Sequence, residues 1–150
     1  MARLAIAYAR EVPDVLISYL HKHADARDTV QRVEKAGSKT VLVSSDVADP
    51  AHCRTISEKV VEELWRVDLL VNNAAFQMSR HSLEEIPNEK WGRMFAINIS
   101  AMFHWCKDAV PHMRPSLTII GNSYVNFDTP VPALAPYAAT KTAITKEADI

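Results

Sequence analysis

The sequence predicts an α/β fold built on a doubly wound parallel sheet, and three observations carry that expectation. Short continuous apolar runs such as Val15-Leu16-Ile17-Ser18 and Thr40-Val41-Leu42-Val43 read as strands covered on both faces. Segments with helical apolar spacing separate those runs. Strands alternating with helices give parallel strands joined by crossover helices, and right-handed crossovers fix the winding.

The elements follow in order. Ala2 to Glu11 reads as a helix in which Leu4, Ile6, Ala7 and Tyr8 offer apolar surface. Val15 to Ser18 is the first strand. Ala24 to Ala36 is an amphipathic helix with Val30 and Val33 inward, closed by Gly37 at the usual left-handed cap position. Thr40 to Val43 is the next strand. Asp49-Pro50 is a helix start, with the aspartate as N-cap and the proline at the first helical position. That helix runs to about Trp65, with Ile56, Val60, Val61 and Leu64 as its buried stripe. Leu69 to Val71 is the third strand. Asn88 is expected to cap a long helix from Glu89 to about Met113, and Leu117 to Ile120 is the fourth strand. Pro130, Pro132 and Pro136 space out a loop before a last helix that carries Tyr137. No repeat or linker interrupts the pattern, so the 150 residues are read as one domain.

Composition excludes several classes. The chain is 48% hydrophobic and 23% charged, which is ordinary for a globular protein. A net charge of −1 gives no electrostatic case for nucleic acid or an anionic membrane. No apolar run approaches the ~20 residues of a membrane span, and the N-terminus lacks a cleavage signature. Cys53 and Cys106 form neither a disulfide framework nor a metal site. They read as free thiols in a cytoplasmic protein. His21-x-His23 is expected to be a solvated loop rather than a metal site. One number is abnormal. There are only three glycines, Gly37, Gly92 and Gly121, whereas a dinucleotide-binding turn needs a cluster of them.

The most telling string is Tyr137-Ala138-Ala139-Thr140-Lys141. Helical residues four apart share a face. An ammonium beside a phenol favours the phenolate, lowering the tyrosine pKa from ~10 toward working pH. The pair is then suited to move a proton to or from a carbonyl or alcohol oxygen. On its own Tyr-x-x-x-Lys is unspecific. Here it follows, in order, a strand with an amide tip (Leu69-Leu70-Val71-Asn72-Asn73-Ala74-Ala75), an asparagine in Phe95-Ala96-Ile97-Asn98-Ile99, and a strand with a small polar tip (Ile119-Ile120-Gly121-Asn122-Ser123-Tyr124).

In that order the four motifs resemble the short-chain dehydrogenase/reductase family over essentially the whole chain. The strings Asn72-Asn73-Ala74-Ala75-Phe76-Gln77 and Ala135-Pro136-Tyr137-Ala138-Ala139-Thr140-Lys141 are most like its glucose/ribitol-dehydrogenase-like bacterial branch. The resemblance implies a Rossmann-like sheet and an NAD(P)-dependent oxidoreductase. Such an enzyme passes a hydride between nicotinamide and a small-molecule secondary alcohol or carbonyl. It implies Tyr137 as acid/base, Lys141 lowering its pKa and binding the nicotinamide ribose, and Asn98 holding a water in a proton relay. It also implies Asn72, Asn73 and Ala74 along the cofactor, and Asp46 and Val47 at the adenine. NAD and NADP are not distinguished by Ser18-Tyr19-Leu20-His21. The helices at 89–113 and 137–150 match those that build the family's subunit interface, so a homo- or hetero-oligomer is implied.

Four departures from the family pattern bear on activity. Met1 aligns with about the last glycine of the turn that lets backbone N–H groups approach a pyrophosphate. The family's first strand, central in its 3-2-1-4-5-6-7 order, is therefore unmatched. Its two neighbours must either re-pair or present bare apolar edges. The catalytic serine belongs thirteen residues before the tyrosine, where Tyr124 stands. Ser123 is one step away, and along a strand one step reverses the face. The family's last two strands and substrate lid have no counterpart before Ile150. Val12 and Trp65 occupy positions where relatives have turn glycines, and a left-handed turn at Trp65 would cost ~1–2 kcal/mol. An incomplete sheet and impaired chemistry are the resulting expectation. A non-catalytic chain that pairs with an intact relative, and a decayed-gene product without function, stay open as alternatives.

Overall fold

The computed structural model describes residues 2–11, 14–82, 84–123 and 132–147. Helix α1 (Ala2–Tyr8) leads into strand β1 (Asp14–Tyr19). Helix α2 (His23–Lys35), strand β2 (Lys39–Ser44), helix α3 (Pro50–Leu64) and strand β3 (Val67–Asn72) follow. Helix α4 (Asn88–Phe95) continues through a π turn (Ala96–Ser100) into α5 (Ala101–Ala109), and a 3₁₀ turn (Val110–His112) leads to strand β4 (Met113–Gly121). A second 3₁₀ turn (Pro132–Leu134) opens helix α6 (Ala135–Glu147).

Strand β1 pairs with β2 in parallel, from Asp14 opposite Lys39 to Tyr19 opposite Ser44. Strand β3 pairs with β4 in parallel, with Leu69 opposite Thr118 and Asn72 opposite Gly121. These are two separate two-stranded sheets. Of the two outcomes expected for the unmatched central strand, bare edges is the one observed: β1 and β3 do not pair with each other.

The packing follows the sequence pattern. Ala9, Ile17 and Val33 form a buried cluster, with Ala5, Ile6, Val15 and Leu42 against it. This cluster seats α1 and α2 on β1 and β2. On the other half, a Cβ at Gly121 would lie 3.2 Å from Ile144 and 3.4 Å from the Met102 sulfur. That glycine lets α5 and α6 approach the tip of β4 closely. Asp49 caps α3 by accepting from the Ala51 N–H at 2.9 Å, with Pro50 at the first helical position, as the sequence signals. Gly37 takes φ +98 after α2. Cys53 is fully buried. Burial, with Asp108 and Asp49 adding to it, pushes its thiol up to about 11, so it stays protonated at neutral pH.

Four expectations are corrected. Asn88 makes no side-chain cap; Pro87, in extended backbone, occupies the N-cap of α4. The long helix stops at Ala109, because the 3₁₀ turn with Pro111 near its start withdraws an N–H and turns the chain out of the helix. Strand β4 consequently begins at Met113, four residues before Leu117. In α3 Ile56 is buried, but Val60, Val61 and Leu64 are only half-buried.

Trp65 ends α3 with φ 70 and is 86% exposed. The left-handed residue expected there is present, while Val12 lies outside the described residues. A side chain at positive φ is strained and this one packs on little. Trp65→Gly is therefore expected to stabilise the protein by about 1 kcal/mol, read as a higher urea midpoint at unchanged m-value.

Candidate active site

Tyr137 and Lys141 sit in the first turns of α6, and both are buried. The Lys141 Nζ lies 5.4 Å from the centroid of the Tyr137 ring, so the shared helical face is realised. Burial pushes the Lys141 ammonium below its ordinary value. The unfolded chain then binds more protons than the folded one between that lowered value and the usual 10.5. Within that window stability rises with pH. The Lys141 ammonium donates to the Asn122 carbonyl. Asn122 in turn donates its backbone N–H to the Asn72 carbonyl at 3.2 Å. Its side-chain amide donates to Asn73 Oδ1, also at 3.2 Å. The strand tips of β3 and β4 are thereby tied to the lysine.

Asn98 is the structural centre. It lies in the π turn between α4 and α5, is 3% exposed, and uses both ends of its amide. Its Oδ1 accepts the Phe76 N–H at 2.7 Å. Its Nδ2 donates to the Phe76 carbonyl at 3.0 Å and to the Thr140 hydroxyl at 2.9 Å. Thr140 is fully buried and its hydroxyl donates a hydrogen bond to the Tyr137 carbonyl at 2.8 Å. One asparagine thus fastens the segment after β3 to the tyrosine helix. The π turn supplies the offset that a regular helix would not, a common device at functional sites. The sequence motifs assign no role to Thr140 or to the Phe76 backbone. The signal for Thr140 was available: it stands three residues after Tyr137, on the helix side that meets Asn98.

The remaining predicted residues are placed as follows. Ser123 donates to the Lys141 carbonyl at 3.0 Å, and Tyr124 lies outside the described residues. Asn72 Nδ2 contacts the Cys106 sulfur at 3.7 Å. Val47, Asn72, Asn73, Ala74 and Asn98 line a cavity between β1 and β3. Asp46 is engaged by Arg93, whose Nη2 reaches both carboxylate oxygens at 2.9 and 2.7 Å. Burial raises the Asp46 carboxyl, but the hydrogen bonds from Arg93 and the Ala48 N–H win and hold it below its ordinary value. The stabilisation from this pair is present above the ordinary carboxylate pKa and lost as pH falls through the lowered one. Tyr19 and His23 hydrogen-bond at 2.9 Å, and no cluster of metal-ligating side chains exists among the described residues. No helix among them is long and apolar enough to cross a membrane.

The amide tip of β3 and the Tyr137–Lys141 pair carry polar groups of the kind a nicotinamide riboside would need, whereas the Asn98 amide is already engaged by Phe76 and Thr140. The pyrophosphate finds no cradle. Gly37 follows α2, Gly92 lies inside α4 and Gly121 ends β4, so no glycine turn opens a helix toward the cavity.

Comparison with known proteins fixes the class. A family model described as enoyl-(acyl carrier protein) reductase matches residues 2–147. The chain belongs to the short-chain dehydrogenase/reductase family. It is 38% identical to General stress protein 39 of Bacillus subtilis over 141 residues, 94% of this chain and 49% of that one. It is 34% identical to a glucose and ribitol dehydrogenase of Daucus carota over 128 residues, 83% of this chain and 44% of that one. A short-chain dehydrogenase from Burkholderia cenocepacia, solved in complex with NADP, superposes with a TM-score of 0.89 at 26% identity. That superposition covers 97% of this chain and 60% of the other. The chain therefore spans about half the length of the curated relatives it matches, and its architecture is that of a Rossmann-fold member of the family.

Proposed function

We propose that residues 1–150 form a single partial dinucleotide-binding domain of an NAD(P)-dependent oxidoreductase acting on a secondary alcohol or carbonyl. The observation that carries this reading is the buried Tyr137–Lys141 face joined through Thr140 to Asn98. Tyr137 is the group that gives a proton to, or takes one from, the substrate oxygen. Lys141 holds positive charge beside the phenol and anchors the strand tips through Asn122. Asn98 fixes the tyrosine helix against the segment after β3. The cofactor supplies the hydride when bound. The Burkholderia relative's NADP complex supports a nicotinamide cofactor without choosing between NAD and NADP. These residues hold its nicotinamide end and do not cradle its phosphates, so the 150 residues alone are catalytically impaired. A second reading, a chain that acts by pairing with an intact relative through α4, α5 and α6, is favoured by the exposed Trp91 and Phe103.

The two readings separate in a chimera in which the matching residues of this chain replace the aligned stretch of the Daucus carota glucose and ribitol dehydrogenase, with the rest of that protein retained. Nicotinamide-dependent turnover of glucose or ribitol, the substrates in that relative's name, is the expected result. A chimera that folds and binds cofactor but does not turn over would remove the catalytic reading and leave the pairing one.

A further inference from the structure

Ligands of doubly wound sheets bind outside the carboxyl ends of the strands. Two segments border the cavity there: the turn after β2, through Val47, and the tip of β3, through Asn73 and Ala74. Asn98, in the π turn, borders it as well. The turn after β2 hangs on Asp46. Its Oδ1 accepts the Ala48 N–H at 3.0 Å, which closes a local turn around Val47. Its own N–H donates to His52 Nδ1 at 3.3 Å. Both bonds stay within the turn and the first part of α3. Arg93 brings a tie from another element, its Nη2 reaching the two carboxylate oxygens at 2.9 and 2.7 Å. It stands near the end of α4, where a basic residue ordinarily complements the free carbonyls of a helix terminus. Here the helix runs on through the π turn into α5, so Arg93 has no helix end to complement. Its side chain is 35% exposed and that of Asp46 31%, so the pair is screened less than one on the open surface.

We propose that Arg93 is a positioning residue for cofactor binding: by gripping Asp46 it fixes the turn at residues 46–48 against the helix that carries Asn98. One helix thereby holds two borders of the cavity. It holds Val47 through Arg93 and Asp46, and the Phe76 segment and α6 through Asn98. Arg93 and Asn98 lie within two turns of each other on that helix, about 7 Å apart along its axis. That spacing is rigid, whereas the loops it fastens are not helical. Arg93 acts through Asp46 and not by touching the cofactor. A turn already held needs no ordering when a ligand arrives, whereas a free one must be immobilised, and that cost falls on affinity. The proton step belongs to Tyr137 on α6, so turnover at saturation is left alone. This inference rests on the reading above that the cavity takes a nicotinamide cofactor.

The test uses the chimera with the Daucus carota dehydrogenase and whichever of NADH and NADPH it binds more tightly. Arg93→Met keeps a long, helix-favouring side chain and removes its charge. The cofactor dissociation constant, by calorimetry, and the cofactor KM should both rise at least about fivefold, the scale of ordering a few residues on binding. At saturating cofactor kcat should stay within about twofold. Arg93→Lys keeps the charge and should recover at least about half of the loss on a logarithmic scale. In an Asp46→Asn background, Arg93→Met should add less than about twofold, because its partner is already uncharged. Amide exchange on the 150-residue chain reports the turn itself. In Arg93→Met the Ala48 amide should exchange at least about tenfold faster while the amides of β1 and β2 keep their rates. A variant that does not fold, or equal acceleration at all these amides, would mark Arg93 as a general stabiliser and overturn the proposal. So would a fall in kcat matching the rise in KM, or an Arg93→Met penalty that persists in the Asp46→Asn background. A chimera that binds cofactor, and whose Arg93→Met variant binds it equally well, refutes this inference alone. One that binds neither NADH nor NADPH refutes the underlying reading as well.

Discussion

Asn98→Ala is expected to destabilise the fold by about 3 kcal/mol, because each buried donor or acceptor left unpaired costs ~1–3 kcal/mol. Two half-buried groups lose their partner, the N–H and carbonyl of Phe76, which among the described residues Asn98 pairs at 2.7 and 3.0 Å. Thr140 keeps its bond to the Tyr137 carbonyl, so its loss is partial. Asn98→Asp should be no milder. The carboxylate still accepts from Phe76, but it loses both donated bonds and buries a charge, which is disfavoured without a partner. Urea unfolding of the chimera measures both variants. Exchange of the Phe76 amide reports the site itself and should accelerate in Asn98→Ala. A loss under about 1 kcal/mol, the net worth of an ordinary hydrogen bond, would mean that water replaces the amide and that Asn98 is not the fastener described.

Tyr137→Phe carries the largest expected effect on activity. Positioned acid/base groups contribute roughly 10²–10⁴ in rate, and turnover of the chimera should fall by that factor. Cofactor affinity should stay within about twofold, since a phenol lost from the reacting end removes a proton route and little binding surface. Tyr124→Ser should act in the opposite direction. The family's serine donates to the substrate oxygen, and removing one preorganised donor costs about 10²–10³. Restoring it should therefore raise turnover at least tenfold. Ser123 is spent on the Lys141 carbonyl, which argues against its standing in for that donor. If the unaltered chimera already matches its parent, then Tyr124 or Ser123 performs the serine's task.

Much of the fold was legible because the strands are continuous aliphatic runs and because Asp49-Pro50 and Gly37 punctuate the helices through backbone chemistry alone. The end of α5 comes earlier than the sequence pattern suggests, since apolar helical spacing runs on through Val110 and Met113 past the point where Pro111 breaks the hydrogen-bond ladder. Asn88 looked like a cap by residue type, but a proline one residue earlier already holds the extended backbone that the cap position requires. In the site, the helical spacing of Tyr137 and Lys141 is a local property and could be read directly. The Asn98–Thr140 bond joins residues 42 apart and the Asp46–Arg93 pair joins residues 47 apart. No periodicity encodes such contacts, and only the fold creates them. The split of the sheet into two pairs was foreseeable only as one of two outcomes, because nothing local decides whether bare edges find each other.

On the proposed reading, residues 2–147 carry the proton-transfer end of a nicotinamide site and no glycine turn for its phosphates. Calorimetry of the 150-residue protein with NADH and NADPH tests it most directly. The account predicts no measurable binding of either. A dissociation constant below about 100 µM, roughly −5.5 kcal/mol, would contradict it and would show that Asn73, Asn98 and Lys141 hold a dinucleotide without a glycine turn.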